Sequence, residues 1–313
     1  KEKLARFCNV NVDCVIESVD VNTIYDVPNH MYLECLDKVV LKKLKLDYNE
    51  PDMDSWNSFL DKYKNPKDTI KIALIGKYVE LQDSYKSILE SFIHAGAVNE
   101  VDVDVIPLHS EFINSENVHD KLQSFNGILV APGFGERGVE GKIEAIKYVR
   151  LNNIPFFGIC YGMQMAVIEY ARNMLKLDDA NSTEVNPNTK NPVIDLMEEQ
   201  KNITEKGGTM RLGAWKCHLT KETLCHSVYK TENIVERHRH RYELNNKYLN
   251  QLEENGLVAS GKNKDTNLVE VVEVKDHPWF IGVQYHPEYK STVLSPHPLF
   301  VSFVSAAILN KNK

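Results

Sequence analysis

The chain has 313 residues, 42% of them hydrophobic and 26% charged, a composition that excludes disordered, collagen-like and low-complexity classes and leaves ample volume for a buried core. Its formal charge of −7 gives no reason to expect attraction to nucleic acid or to an anionic membrane surface. No run approaches the ~18 consecutive apolar residues of a membrane-crossing helix, the opening residues lack the apolar stretch of a secretory signal, and the six cysteines show no repeated short spacing, so a soluble, cytoplasmic chain with reduced thiols is expected.

Within residues 1–48 the pattern offers short strand-like pieces at 13–18 and a helix-like run over 31–46, too little to close a domain. With Lys rather than Met in first place, this stretch reads as the end of another unit of a longer chain. Residues 49–69 are polar, carry Pro51 and Pro66, and enclose an amphipathic patch of Trp56, Phe59, Leu60 and Tyr63, which suits a linker with one short helix. Residues 70–313 then read as a domain. An apolar run over 71–76 ends in Gly; Tyr85, Ile88, Leu89, Phe92 and Ile93 follow at helical spacing; residues 101–106 alternate as a strand. A strand at 127–131, a helix over 142–150 and a strand at 155–159 repeat the scheme, and near-continuous apolar runs are what parallel strands buried on both faces require. The predicted fold is α/β, a doubly wound, mostly parallel sheet flanked by helices. Its second half is richer in strands, at 210–219, 257–261, 268–274 and 279–285, with helices near 248–254 and 299–309.

Cys160 lies where the strand ending at Ile159 meets an amphipathic helix carrying Met163, Val167, Ile168 and Ala171. Gly158-Ile-Cys160-Tyr-Gly162 has the Gly-x-nucleophile-x-Gly form, in which a sharp strand-to-helix turn leaves room only for small residues beside the reactive atom. The free N–H groups of a helix N-terminus also favour a thiolate there. Cys8, Cys14, Cys35, Cys217 and Cys225 lack such a setting. A thiol attacking a carbonyl-type carbon needs a group that takes a proton and later returns it. Among eleven histidines, His286 follows a strand directly, at the strand end where α/β folds place their chemistry. Glu288, two residues on, can reach one ring nitrogen while the other faces the thiol. Alone, His286-Pro-Glu288 reads more readily as a surface turn; combined with the turn at Cys160 that becomes the weaker reading, and the three residues make a triad. The run Glu236-Arg-His-Arg-His-Arg241 lacks stacking aromatics and is poor evidence for a nucleic-acid stripe. No Cys or Asp stands at ligand spacing from His238 and His240, so no metal site is expected.

Ala131-Pro-Gly133-Phe-Gly135-Glu-Arg-Gly138 follows a strand, and its glycines let backbone N–H groups approach a ligand. Donors from this loop and from Tyr161 would form an oxyanion hole. At this point the chain resembles the class I, triad-type glutamine amidotransferases, through Gly158-Ile-Cys160-x-Gly-Met-Gln164 and His286-Pro-Glu288. Within that family it is similar to the glutaminase domain of the CTP synthases. That closer likeness rests on Gly133-Phe-Gly-x-Arg-Gly-x-Glu-Gly141, Ala180-Asn-Ser-Thr-Glu184, Gly207-Gly-Thr-Met-Arg-Leu-Gly213 and Glu236-Arg-His-Arg-His-Arg-Tyr-Glu243, which run in the family's order within a domain of about 240 residues.

The resemblance implies hydrolysis of glutamine to glutamate and ammonia through a thioester on Cys160, with His286 as base and acid and Glu288 as its orienter. It implies Gly133 and Tyr161 at the oxyanion, and Gly133, Tyr161, Gln164, Glu184 and Arg241 around L-glutamine, with Arg239 in reserve. GTP would act as an allosteric activator near Thr209 and Arg211, and residues 198–206 would form a lid. Residues 1–48 resemble the end of the family's synthetase domain, with Lys3, Phe7 and Asp20 as candidate remnants of a nucleotide site. No cofactor or metal is expected in the glutaminase domain. ATP and Mg2+ belong to the synthetase domain, which aminates UTP to CTP in a homo-oligomer, a tetramer in the full-length enzyme. The chain departs from the family pattern twice, with Pro132 where many relatives have Gly and Tyr161 where Leu is usual. Neither change removes the backbone donor at 161, so activity is expected to persist.

Overall fold

The computed structural model describes residues 1–196 and 210–313. They divide into two compact units, residues 1–64 and 65–313. The first holds helices α1 (Glu2–Cys8), α2 (Val27–Leu33), α3 (Leu36–Leu44) and α4 (Asp54–Lys64). Its small core forms where Tyr25 packs edge-on against Phe59, 5.0 Å between ring centres, and the Trp56 indole N–H donates to the Tyr25 carbonyl at 2.9 Å. Two expectations fail in this unit. Residues 13–18 form no strand; Val12–Cys14 is a single 3-10 turn, and no strand edge within the unit offers the extended piece a partner. The run over 31–46 is two helices, because Pro28 starts the first one early and Cys35, at φ 58°, interrupts helical geometry between them.

The second unit begins with β1 (Asp68–Gly76), α5 (Lys86–Asn99), β2 (Val101–His109), α6 (Val118–Leu122), β3 (Gly127–Val130), α7 (Val139–Leu151), β4 (Phe156–Ile159) and α8 (Tyr161–Asn173). It continues with β5 (Asn181–Ser182), β6 (Pro192–Leu196), β7 (Arg211–Leu219), α9 (Leu224–Tyr229), β8 (Asn233–His240), β9 (Tyr242–Leu244) and α10 (Leu249–Glu254). The last elements are β10 (Leu257–Lys262), β11 (Val269–Val274), β12 (Phe280–Val283) and α11 (Pro298–Lys311). The main sheet runs β2-β1-β3-β4-β12-β11-β10-β7-β8, parallel from β2 to β12 and antiparallel from there on; β5, β6 and β9 form a second, three-stranded sheet.

Alternation along the strands sorts the core into two layers. Ile70, Ile72 and Leu74 of β1 meet Phe92 of α5 and Phe303 of α11, whereas Ala73 and Ile75 meet the side carrying Ile143 and Ile146 of α7 and Val167 of α8. Phe157 is buried among Trp279, Phe300 and Phe303, with ring centres 5.3–5.7 Å away, so truncating it to Ala costs about 3–5 kcal/mol. The sequence reading missed β8, whose burial alternates strictly, with Ile234, Glu236, His238 and His240 inside and Val235, Arg237 and Arg239 outside. It also missed α9 and the small sheet, whose strands are too short to show a period.

Candidate active site

Because β3, β4 and β12 are neighbours in the sheet, the segments leaving their C-terminal ends converge. After β4 the chain turns abruptly into α8 at Cys160, which takes φ 51° and ψ −100° and whose N–H donates to the Val283 carbonyl of β12 at 2.7 Å. The flanking glycines are there for space. A Cβ on Gly162 would lie 2.2 Å from the Val130 carbonyl oxygen, and one on Gly158 would lie 2.8 Å from the Gly162 backbone.

After β12 the chain passes Gln284 and Tyr285 to His286, whose N–H donates to the Arg237 carbonyl at 2.8 Å. His286 Nδ1 and Glu288 Oε1 are 2.8 Å apart, both residues buried. Burial of the ring opposes its protonation, but the Cys160 thiol and the Glu288 carboxylate outweigh it, and the pKa of His286 is pushed up to about 11. The other nitrogen, Nε2, makes no conventional hydrogen bond among the described residues and is the one available to the Cys160 sulfur. Tyr289 stacks on the imidazole at 5.3 Å between ring centres. On the far side, the Arg239 carbonyl of β8 lies 4.0 Å from the sulfur.

The glycine-rich loop after β3 lies against Tyr161. A Cβ on Gly133 would meet the Tyr161 ring at an ordinary 3.7 Å, and the Tyr161 hydroxyl donates to the Gly135 carbonyl. The Gly135 N–H donates to Glu184 Oε1 at 3.0 Å. Burial raises the Glu184 pKa, against the opposing pull of Gly135, Arg241 and Lys77, which places those two cations near it. Gln164, on α8, donates to the Tyr242 carbonyl at 2.8 Å, and its Oε1 has no partner among the described residues. Cys160, His286, Glu288, Gly133, Tyr161, Gln164, Glu184 and Arg241 thus fall in one neighbourhood: a thiol, an imidazole paired to a carboxylate, backbone donors, and a carboxylate near two cations. That set can attack an amide carbon and hold an amino acid by both of its charged groups.

Other expectations are not gathered there. Thr209 and the segment 198–206 lie outside the described residues. Lys3, Phe7 and Asp20 are exposed residues of the first unit. Arg211 does not present its guanidinium at the surface: it is buried, 2.6 Å from Glu270 and stacked on the Trp215 ring at 4.7 Å. Beside it, His238 Nδ1 and His240 Nε2 are 3.1 Å apart. Burial, then neighbouring histidines and Arg211, lowers the pKa of His238 to about 2; burial, then Arg211, lowers that of His240 to about 3. These imidazoles and Glu270 lie within reach of a single ion. Glu270 comes from β11, a partner that sequence spacing could not supply, but its carboxylate already serves Arg211, a cation where a metal would have to sit.

Sequence reasoning missed Gln284, Lys77 and Lys142. Lys77 follows the last residue of β1 and donates to the Phe134 carbonyl at 2.9 Å. Lys142 is buried beneath the Tyr161 ring, its ammonium 5.1 Å from the ring centre, and burial, then Lys77 and Arg137, lowers its pKa to about 8. Gln284 immediately precedes the Tyr285-His286 pair, and its signal was a lone amide in a run that is otherwise apolar and buried throughout.

Comparison with known proteins matches residues 80–306 to the model of the glutamine amidotransferase class-I family, and residues 1–46 to that of the CTP synthase N-terminus. The CTP synthase of Flavobacterium psychrophilum is 65% identical over 314 residues, covering 100% of this chain and 58% of the relative. That of Christiangramia forsetii is 65% identical over 308 residues, covering 98% of this chain and 56% of the relative. The chain therefore spans a little over half the length of these relatives. Among solved structures, the Trypanosoma brucei CTPS glutaminase domain with bound acivicin superposes with TM-score 0.73 at 38% identity, covering 77% of this chain and 94% of that one.

Proposed function

The chain belongs to the glutamine amidotransferase class-I family and, within it, to the CTP synthases, and from that premise we propose that residues 70–313 hydrolyse L-glutamine to glutamate and ammonia. Cys160 gives its thiol proton to His286, whose raised pKa favours holding it, and the thiolate attacks the side-chain amide carbon, forming a carbon–sulfur bond. Backbone N–H groups of the Gly133 loop and of Tyr161 hold the developing oxyanion. His286 returns the proton as the carbon–nitrogen bond breaks and ammonia leaves, then takes one from the water that cleaves the γ-glutamyl thioester and restores the thiol. Glu288 fixes the tautomer that leaves Nε2 free to accept. Glu184 receives the substrate ammonium, Arg241 its α-carboxylate, and Gln164 a further polar group.

The observation that carries this reading is the buried His286–Glu288 pair, 2.8 Å apart, opposite a cysteine held at a strand-to-helix turn. That the trypanosomal glutaminase domain binds acivicin supports a ligand pocket in this domain. In the longer enzyme the ammonia would pass to a synthetase domain that uses ATP and Mg2+ to aminate UTP, with GTP as activator, in a homo-oligomer in the cytoplasm. The residues described in 1–64 would be the end of that domain and its connection. The test is glutamate release from L-glutamine by the chain, with and without GTP, beside Cys160→Ala. Release that the substitution abolishes is the expected result; release that survives it would overturn the assignment.

A further inference from the structure

Gln284 is fully buried between β12 and the His286 turn, its backbone N–H donating to the Glu270 carbonyl at 2.8 Å. Its side-chain Nε2 lies 3.6 Å from the Cys160 sulfur. The other end of that amide is anchored, since Gln284 Oε1 accepts from Gln164 Nε2 at 3.2 Å. Gln164 in turn has one orientation open to it: the same Nε2 donates to the Tyr242 carbonyl at 2.8 Å, and a carbonyl can be met there only by an N–H, never by the amide oxygen. A main-chain carbonyl thus orients Gln164, Gln164 orients Gln284, and Gln284 is left with its N–H groups toward the sulfur.

We propose that Gln284 is a catalytic residue that stabilises the Cys160 thiolate by an N–H···S bond, and that Gln164, besides any contact with substrate, is the positioning residue that keeps that donor aimed. The proposal takes the nucleophilic role of Cys160 from the function proposed above. A donor to sulfur favours the ionised nucleophile before attack and competes with nothing in the thioester, where the sulfur carries no charge. The titratable and charged groups tied to this cluster are His286 and Glu288 after β12 and His238 and His240 on β8, with Arg211 and Glu270 behind them. None is altered by a neutral substitution at 284 or 164.

The experiment follows alkylation of Cys160 by iodoacetamide against pH, read on its own peptide by mass spectrometry, in the whole chain and in Gln284→Met and Gln164→Met. Exposed Cys8 and Cys35 serve as internal standards in the same samples. In Gln284→Met, which keeps the volume and loses the donor, the midpoint of the profile moves up by about one pH unit, while those of Cys8 and Cys35 stay fixed. Glutamine hydrolysis falls about tenfold in kcat with KM within about twofold. Gln164→Met, which leaves Gln284 intact but unanchored, shifts the midpoint in the same direction by roughly half as much. An unchanged Cys160 midpoint in a Gln284→Met protein that melts like the wild type overturns the proposal. If that variant does not fold, an unchanged midpoint in Gln164→Met does so. A shifted midpoint in a chain that releases no glutamate would leave this donor standing and remove the proposed reaction instead.

Discussion

Replacing Glu288 by Gln isolates the charge of the orienting group while keeping its shape. The carboxylate sits 2.8 Å from His286 Nδ1 with both residues about 5% exposed, so solvent screens the pair little. A hydrogen bond to a charged group in such a place is worth about 1.5–3 kcal/mol. Glutamine loses that charge, and it can also turn its NH2 toward Nδ1, because the second carboxylate oxygen has no partner among the described residues to hold the group in one sense. In that orientation the neutral ring carries its proton on Nε2 and cannot accept one from Cys160. Loss of about 1.5–3 kcal/mol lowers kcat/KM about 10- to 100-fold. The sign of the pH effect follows from the raised pKa of His286: removing one of the groups that raises it lets the imidazolium deprotonate at lower pH, so the alkaline limb of kcat/KM moves acidward. Glutamate release assayed from pH 6 to 10, beside Glu288→Ala, measures both effects. A Glu288→Gln variant whose kcat/KM stays within about twofold of wild type across that range would refute a charge-dependent role.

Three further outcomes follow from other parts of the fold. His238 and His240 stay neutral in the native chain, at about 2 and about 3, while in the unfolded chain they bind protons below about 6.5, so their contribution is present above that pH and is lost as pH falls; Glu270, pushed up to about 7 by burial, acts in the opposite sense between about 4.5 and 7. Urea unfolding between pH 5 and 6 should therefore show a pH slope in wild type that exceeds that of His238→Gln by about 1.4 kcal/mol per pH unit, and equal slopes would contradict the buried neutral pair. Gly162→Ala forces a methyl to 2.2 Å from the Val130 carbonyl and should cost about 3 kcal/mol or more, visible as a lowered melting temperature or loss of soluble protein. Tyr161→Phe removes the hydroxyl bond to the Gly135 carbonyl, and because the Gly135 N–H holds Glu184, KM for glutamine should rise about 3- to 10-fold with a smaller change in kcat. A pure kcat effect would contradict this path from the hydroxyl through Gly135 to Glu184.

What the sequence made legible was what repeats with a period or needs a particular atom. The parallel strands appeared as apolar runs, the sharp turn at Cys160 as paired glycines, and the pairing of His286 with Glu288 as a His-Pro-Glu turn. The Arg-His run of β8 was read by its chemistry and not by its alternation, although Glu236, His238 and His240 all turn inward. Taken as a strand, it would have signalled buried imidazoles rather than a basic surface. Arg211 escaped for a different reason. Its partner Glu270 is 59 residues away on a strand two places removed in the sheet, and no local pattern announces a buried ion pair.

The last such case explains how the site is held in register. β4 and β12 are far apart in the chain but pair in parallel with Ile159 beside Val283, and that pairing continues for one more bond, from the Cys160 N–H to the Val283 carbonyl. The residues that follow each strand, Cys160 and Gln284, are thereby brought side by side, and His286 is delivered two positions on with its N–H on the Arg237 carbonyl. A slip of one residue in this pairing would carry the side chains of β12, which is buried on both faces, to the opposite face of the sheet, taking Gln284 off the sulfur and moving His286 past it. The proposed nucleophile, its proposed hydrogen-bond donor and its proposed base are therefore positioned by one strand pair, whose buried residues Phe156, Phe157, Phe280 and Ile281 fix the register by packing. The proposed chemistry depends on this register as directly as on the identity of those three side chains.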